Sequence, residues 1–318
     1  MSSPENRIFG RVGHIEIDVG GSIKRFRDLD FRFNIEKVAG GATPNFANIG
    51  ILGLSRSSVN DISTYLNVGV QAARRRMIKV YAGYRETGEQ LIFCGDIIIA
   101  RPSQPPENWI NISAQTNGWM RSEVVSLDVQ LTEREKKEGK RLTIRRIFEN
   151  ISRLYGMSLE YRTDNTKELD REIIGFDCTG SYQDIFRRAN TLSEVRIRCD
   201  YTAEGKQIMT VYDINPATIN GSKIFDLSAT TGMIGIPEFT YPIVKFKMLM
   251  NPYVHLFDDV NIKSFLVPNA GNIFRIYNLK YNGHFRGTNW YMECIGFLPN
   301  YNEDITKKAI MKTSRKRQ

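Results

Sequence analysis

The stretch Thr230–Phe297 reads TTGMIGIPE at 230–238, continues through the apolar run IVKFKMLMNP at 243–252, and closes with YNGHFRGTNWYMECIGF at 281–297. Its second half predicts a hairpin. Ile273 to Tyr281 alternates around Ile276 and Leu279, NGHFRGTN supplies turn residues, and Trp290 to Phe297 is an aromatic-rich return strand. The same arrangement occurs once before, where Gln90 to Arg101 is a strand, SQPPEN a Pro-rich connection and Trp109 to Gln115 the return strand. In both places an Asn-Trp pair, Asn108-Trp109 and Asn289-Trp290, opens the return strand. The chain therefore reads as two related β-modules with other material between them.

Composition sets the outer limits. The chain has 318 residues, 41% of them hydrophobic and 25% charged, which describes a globular protein long enough for two or three cores. The start, MSSPENRIFGR, lacks the apolar run of a signal peptide, and the apolar run IVKFKMLM carries two lysines, so no bilayer-spanning segment is expected. Cys94, Cys178, Cys199 and Cys294 are far apart and form no CxxC, so they read as small buried residues in a reducing compartment. The net charge of +9 suggests nucleic acid at first sight. However, residues 307–318 hold six basic and no acidic residues, which leaves the rest of the chain at only +3. That tail reads as a solvated terminus or as a docking peptide that orders on assembly.

Taken in order, HIEIDVG, a turn at Gly20 to Ser22, and a strand placing Phe31, Phe33 and Ile35 on one face open the first module. Asn48 to Leu54 is a further strand, and Ser55 caps a short helix with Val59, Ile62, Tyr65 and Leu66 near one face. MIKVYAGY, the first hairpin and an extended segment from Ser122 to Leu131 complete it. TEREKKEGKR at 132–141 reads as a solvated linker. Thr143 then caps an amphipathic helix with Ile144, Ile147, Phe148, Ile151, Leu154 and Tyr155 at helical spacing, stopped by Gly156. Two strands, a second helix capped by Ser181 and the hairpin VRIRCDYTAEGKQIMTVYD make this an α+β unit, and Asn215 to Ser228 leads into the second β-module.

Little in the chain suggests catalysis. His14, His255 and His284 each stand without a second ligand at metal spacing and read as structural. GxSxG, HExxH, P-loop and GxGxxG motifs are all missing. Asp258-Asp259 reads as a turn rather than a carboxylate pair, and no pair among the 35 acidic residues is singled out for glycoside hydrolysis. Arg74-Arg75-Arg76 is the compact basic cluster of the body, either a solvated turn or an interface or phosphate contact. Trp109, Trp119, Trp290, Tyr291 and Phe297 could form a stacking platform for single strands, but core packing explains them with fewer assumptions. No catalytic, cofactor-binding or metal-binding residue is assigned.

Four segments carry a family resemblance: LGLSRSS at 52–58, AGYRETGEQLIFCGDI at 82–97, TTGMIGIPE at 230–238 and MLMNPYVHLFDDVNI at 248–262. With the order β-module, α+β insertion, β-module, the chain resembles the baseplate hub proteins of contractile-tailed bacteriophages. The resemblance implies an α+β, β-rich fold with two tail-tube-like β-barrel modules flanking a small α+β module. The implied division is 1–131, 132–215 and 216–303, with a basic tail at 304–318. It further implies a structural, non-enzymatic protein of the virion, assembled in the host cytoplasm. The partners implied are two more copies in a homotrimer, the tail tube or a tube initiator, the central spike, and baseplate wedge proteins. DNA passes only as transient cargo. The alternatives are a hub-associated cell-wall hydrolase and a nucleic-acid-binding β-barrel; the near-neutral body argues against the second.

Overall fold

The computed structural model describes residues 10–19, 21–40, 43–63, 75–118, 120, 123–202, 204–213, 224–263 and 273–298. The first part holds β1 (Arg11–Val19), β2 (Ser22–Phe26), β3 (Phe31–Val38), β4 (Phe46–Leu52), helix α1 (Arg56–Ile62), β5 (Arg76–Tyr84), β6 (Gly88–Pro102) and β7 (Trp109–Gln115). The middle part holds β8 (Val125–Val129), α2 (Glu133–Lys137), α3 (Ile144–Leu154), β9 (Ser158–Arg162), α4 (Thr166–Leu169), β10 (Phe176–Gly180), α5 (Tyr182–Thr191), β11 (Val195–Tyr201) and β12 (Gln207–Asp213). The last part holds β13 (Ile224–Leu227), β14 (Met233–Thr240), β15 (Ile243–Leu249), β16 (Asp259–Ile262), β17 (Ile273–His284) and β18 (Trp290–Phe297). The fold is α+β and β-rich.

Alternation decides the strands. Phe31, Phe33 and Ile35 of β3 are buried while Arg32 between them and Glu36 after them are exposed, as a half-buried strand requires. The two outer parts do not stand apart. Thirteen strands form one sheet along the path β14-β15-β18-β17-β3-β4-β7-β6-β5-β1-β2, with β13 and β16 branching at β17. β17 pairs with β3 in antiparallel register from Asn278↔Val38 to His284↔Arg32, so the second module continues the sheet of the first. One core spans both, running from Ile15 and Ile17 through Phe33 and Ile112 to Phe246, Met292 and Cys294.

The middle part has a core of its own, built on Ile144, Ile147, Phe148 and Ile151 of α3, Ile185, Phe186 and Ala189 of α5, and Val195, Ile197, Met209 and Val211 of the hairpin. Helix α3 starts where expected, with the Thr143 side chain accepting from the Arg146 amide, and Gly156 at φ +63° ends it. Helix α5 begins in a capping box between Ser181 and Asp184.

Four readings change. The extended segment assigned to the first module is β8, which pairs with β10 and places Val129 in the second core, so it belongs by pairing to the middle part. The charged run at 132–141 is not bare linker, because Thr132 and Glu135 form a reciprocal capping box that starts α2. The turn at 20–22 leads first into β2, paired along β1. Helix α1 ends at Ile62 with Ser63 extended, and Tyr65 and Leu66 lie outside the described residues.

All four cysteines are free thiols; Cys94 and Cys294 are buried and Cys178 and Cys199 half-buried. Burial pushes the Cys94 thiol up to about 12 and raises Cys294 as well. Because the thiolate is the nucleophile, iodoacetamide at pH 8 is expected to modify Cys178 before Cys94 or Cys294, which react only after denaturation. Peptide mass spectrometry showing equal labelling of Cys178, Cys94 and Cys294 in the native chain would contradict this burial.

Candidate assembly surfaces

The strand order β5-β6-β7-β4-β3 recurs in the second module as β16-β17-β18-β15-β14. A bulge marks the same place in each. Ile98 is the extra residue of β6 opposite Ala114 and Ser113, and Tyr277 is the extra residue of β17 opposite Gly296 and Ile295. Aligning the bulges sets Trp109 beside Tyr291 rather than Trp290. The Asn-Trp pairs are therefore one residue out of step. Trp290 is buried in the core, whereas Trp109 is half-buried on the opposite face, with the Arg32 guanidinium 4.4 Å from its ring centre.

Two residues before each bulge stands an ion pair, and its signs are exchanged between the repeats. In β6 the buried Asp96 accepts from Arg75 Nε at 2.7 Å. In β17 the buried Arg275 donates to both oxygens of Asp259 at 2.7 and 2.8 Å. The repeats themselves join through β3 and β17.

Across that junction the face turned away from the core is polar and ordered in rows. One row runs Tyr291, Asn282, Asn34, Asn48, Ser113, each residue directly opposite the next on the neighbouring strand. Asn34 donates to Asn282 at 2.5 Å and Ser113 donates to Asn48 at 2.8 Å. The adjacent row alternates in charge through Lys247, Glu293, Lys280 and Glu36. Opposite charges on facing strands compensate one another.

Along its main path the sheet ends at β14 and β2, and its branch ends at β13. β14 pairs only with β15, and no strand lies along its other side among the described residues. Gly235 at φ +73° bends it, and Ile236 is 62% exposed. At the opposite end β2 exposes Ile23. An unpaired strand edge presents free backbone groups on which another strand can pair.

The sequence candidates fall mostly into structural roles. His14 is buried, stacked on Tyr81 with ring centres 4.3 Å apart, and lies 2.9 Å from Glu89 and 3.4 Å from Glu16. Those two carboxylates were missed: Glu16 is two residues along the same strand face, and Glu89 comes from β6. Burial opposes ionisation of Glu16, yet the hydrogen bond and charge of Arg25, with His14, hold its carboxyl below the ordinary range. His284 lies 3.1 Å from Asp30 Oδ2. Asp258 accepts from the His255 amide at 2.8 Å while Asp259 turns to Arg275, so the adjacent carboxylates serve different partners. Arg76 is buried, and Arg75 is half-buried with its guanidinium on the buried Asp96, rather than on a solvated turn. Arg74, Trp119 and the tail at 304–318 lie outside the described residues. Among the described residues no group of three His, Cys, Asp or Glu could hold a metal, and no helix is long and apolar enough to cross a membrane.

A family model described as baseplate hub gp41 matches residues 14–296. No curated protein matches the chain. Among solved structures, the c3393 protein of E. coli, a type VI secretion component described as similar to the T4 tail proteins gp27 and gp5, is 11% identical. The match covers 90% of this chain and 77% of that one at a TM-score of 0.57. A tail protein from Neisseria meningitidis MC58 is 8% identical, with 91% of this chain and 97% of that one covered and a TM-score of 0.57. The 43 kDa tail protein of prophage MuSo2 from Shewanella oneidensis is also 8% identical, with coverages of 90% and 98% and a TM-score of 0.57. At these identities the likeness speaks for the fold.

Proposed function

From the premise that this chain belongs to the baseplate hub gp41 family, we propose that it acts as a structural hub in a ring of three copies. In this reading the ring joins the sixfold tail tube to a threefold spike and frames the channel for DNA. The observation that carries it is the internal repeat. Two modules of the same strand order join where β3, at the end of the first, pairs along β17 of the second, so three copies present six such modules. A ring repeats one heterologous contact, and here it runs from the second module of one copy to the first module of the next. The exposed edge of β14 lies on the second-module side of that contact.

Each module is tube-like, the first closing at β7 and the middle part beginning at β8. The channel wall is the polar face with its amide row, where laterally compensated charges leave DNA little to adhere to. The partners are the tail tube or its initiator, the central spike and wedge proteins, and the ring is built in the host cytoplasm before it joins the virion. The reading assigns no catalytic role to any residue.

Native mass spectrometry of the purified chain, alone and mixed with its tube and spike neighbours, tests it. A threefold mass alone or on mixing is the expected result. A single chain under both conditions would overturn the ring, and cross-links joining only like modules would overturn the heterologous contact.

A further inference from the structure

The middle part touches the two-module body in an unusual way. Its core is separate, and among the described residues the one it contributes to the large core is Tyr212, near the end of β12. Tyr212 is buried and its hydroxyl donates to the carbonyl of Ala39, just past the end of β3 in the first module. Its ring lies 4.7 Å from that of Phe257, which in turn meets Tyr277 of β17 edge-on at 6.1 Å. One side chain thus sits in a socket made by both modules.

Around this peg the contact is polar rather than packed. Arg198 reaches Asn45 at 3.4 Å, Gln207 donates to Asn117 at 2.6 Å, Arg75 donates to Tyr201 at 3.3 Å, and Lys37 stands 3.8 Å from Asp200. Cavities open on both sides of it. One of about 310 Å³ has Phe257, Arg198 and Asp200 in its wall, and one of about 680 Å³ has Tyr212, Phe46 and Arg196. Along the same seam Gln115 Nε2 and Thr116 Oγ1 are buried without a hydrogen bond to a described protein atom. Backbone strain collects here too. Phe257 at φ +73° and Asn117 at φ +57° are two of the three non-glycine residues with positive φ among those described, and for a bulky aromatic that conformation is held only by its surroundings.

We propose that the middle part is a rocker that turns as a rigid body about Tyr212 in its Ala39–Phe257–Tyr277 socket. Its own core moves with it, while the polar contacts of the seam exchange partners and the flanking cavities supply the room. Small, polar contacts between separately cored units are where relative motion is expected. The motion belongs to the single chain, whatever it assembles into. It would let the middle part re-aim toward a neighbour without opening the sheet.

The test is a pulsed electron–electron distance measurement on the full chain, with nitroxides at Ser22→Cys on β2 and Arg153→Cys on α3, in a Cys178→Ser, Cys199→Ala background. With the joint unaltered, the expected result is two distance peaks or one broad one. Phe257→Gly keeps the left-handed backbone and removes the ring, and is expected to broaden the distribution further. A single narrow peak with the joint unaltered would overturn the proposal, and so would a distribution that folded Phe257→Gly leaves unchanged. Should Phe257→Gly fail to fold, the unaltered joint decides by itself, and Tyr212→Phe, which removes only the bond to Ala39, supplies the comparison.

Discussion

Asp259→Ala is expected to cost about 3–5 kcal/mol of folding stability, the usual penalty for stranding one member of a buried ion pair. Asp259 and Arg275 are 6% and 5% exposed and face each other directly across β16 and β17. Two charge-assisted hydrogen bonds at 2.7 and 2.8 Å fix the guanidinium in a plane. Removing the carboxylate leaves a cation that cannot shed its proton in a site with little water around it. Urea denaturation read by tryptophan fluorescence measures the loss, and a cost below about 1 kcal/mol would show that the pair is effectively solvated. The double change Asp259→Leu with Arg275→Met should recover most of the loss, because apolar replacement of both partners is often neutral.

In the proposed ring, Ile236→Lys is expected to reduce the threefold assembly to single chains while leaving the fold within about 0.5 kcal/mol of the parent. Ile236 is 62% exposed on β14, so a lysine there disturbs no packing within the chain. Lysine on a strand edge opposes the approach of another strand. Native mass and thermal unfolding measured on one preparation separate the two effects. A variant that assembles as the parent does would remove β14 from the contact between copies. A variant that unfolds would show that the side chain serves the chain itself.

Much of the fold was legible because its local signals agree with its packing. The strand pattern of Phe31, Phe33 and Ile35, the caps at Thr143 and Ser181, and the stop at Gly156 are all decided within a few residues. What could not be read was long-range pairing. Nothing local to Ile35 announces that its neighbour is Tyr281, and Leu127 alternates as well beside Cys178 as it would in the first module. The internal repeat was found through the wrong landmark, since the Asn-Trp pairs are out of step and the bulges at Ile98 and Tyr277, which do align, have no signature in residue type. The same limit hid Glu89 from His14: the contact depends on β1 and β6 both lying beside β5. Family resemblance pointed to a hub, whereas the surfaces that would serve one became visible only once the strand order was known.

The exchanged signs of the two ion pairs bear on how a chain that contains itself twice avoids confusion. Strands of similar shape could trade places, within one chain or between copies synthesised side by side. If β16 lay along β6, Asp259 would confront Asp96; if β5 lay along β17, Met77 would face Arg275, and Arg75, two residues before Met77, would bring a second guanidinium beside it. The first error buries like charges against each other, and the second sets a half-buried cation beside a buried one; like charges across strands are destabilising. The two pairs would thus give each half of the molecule an address written in opposite polarity.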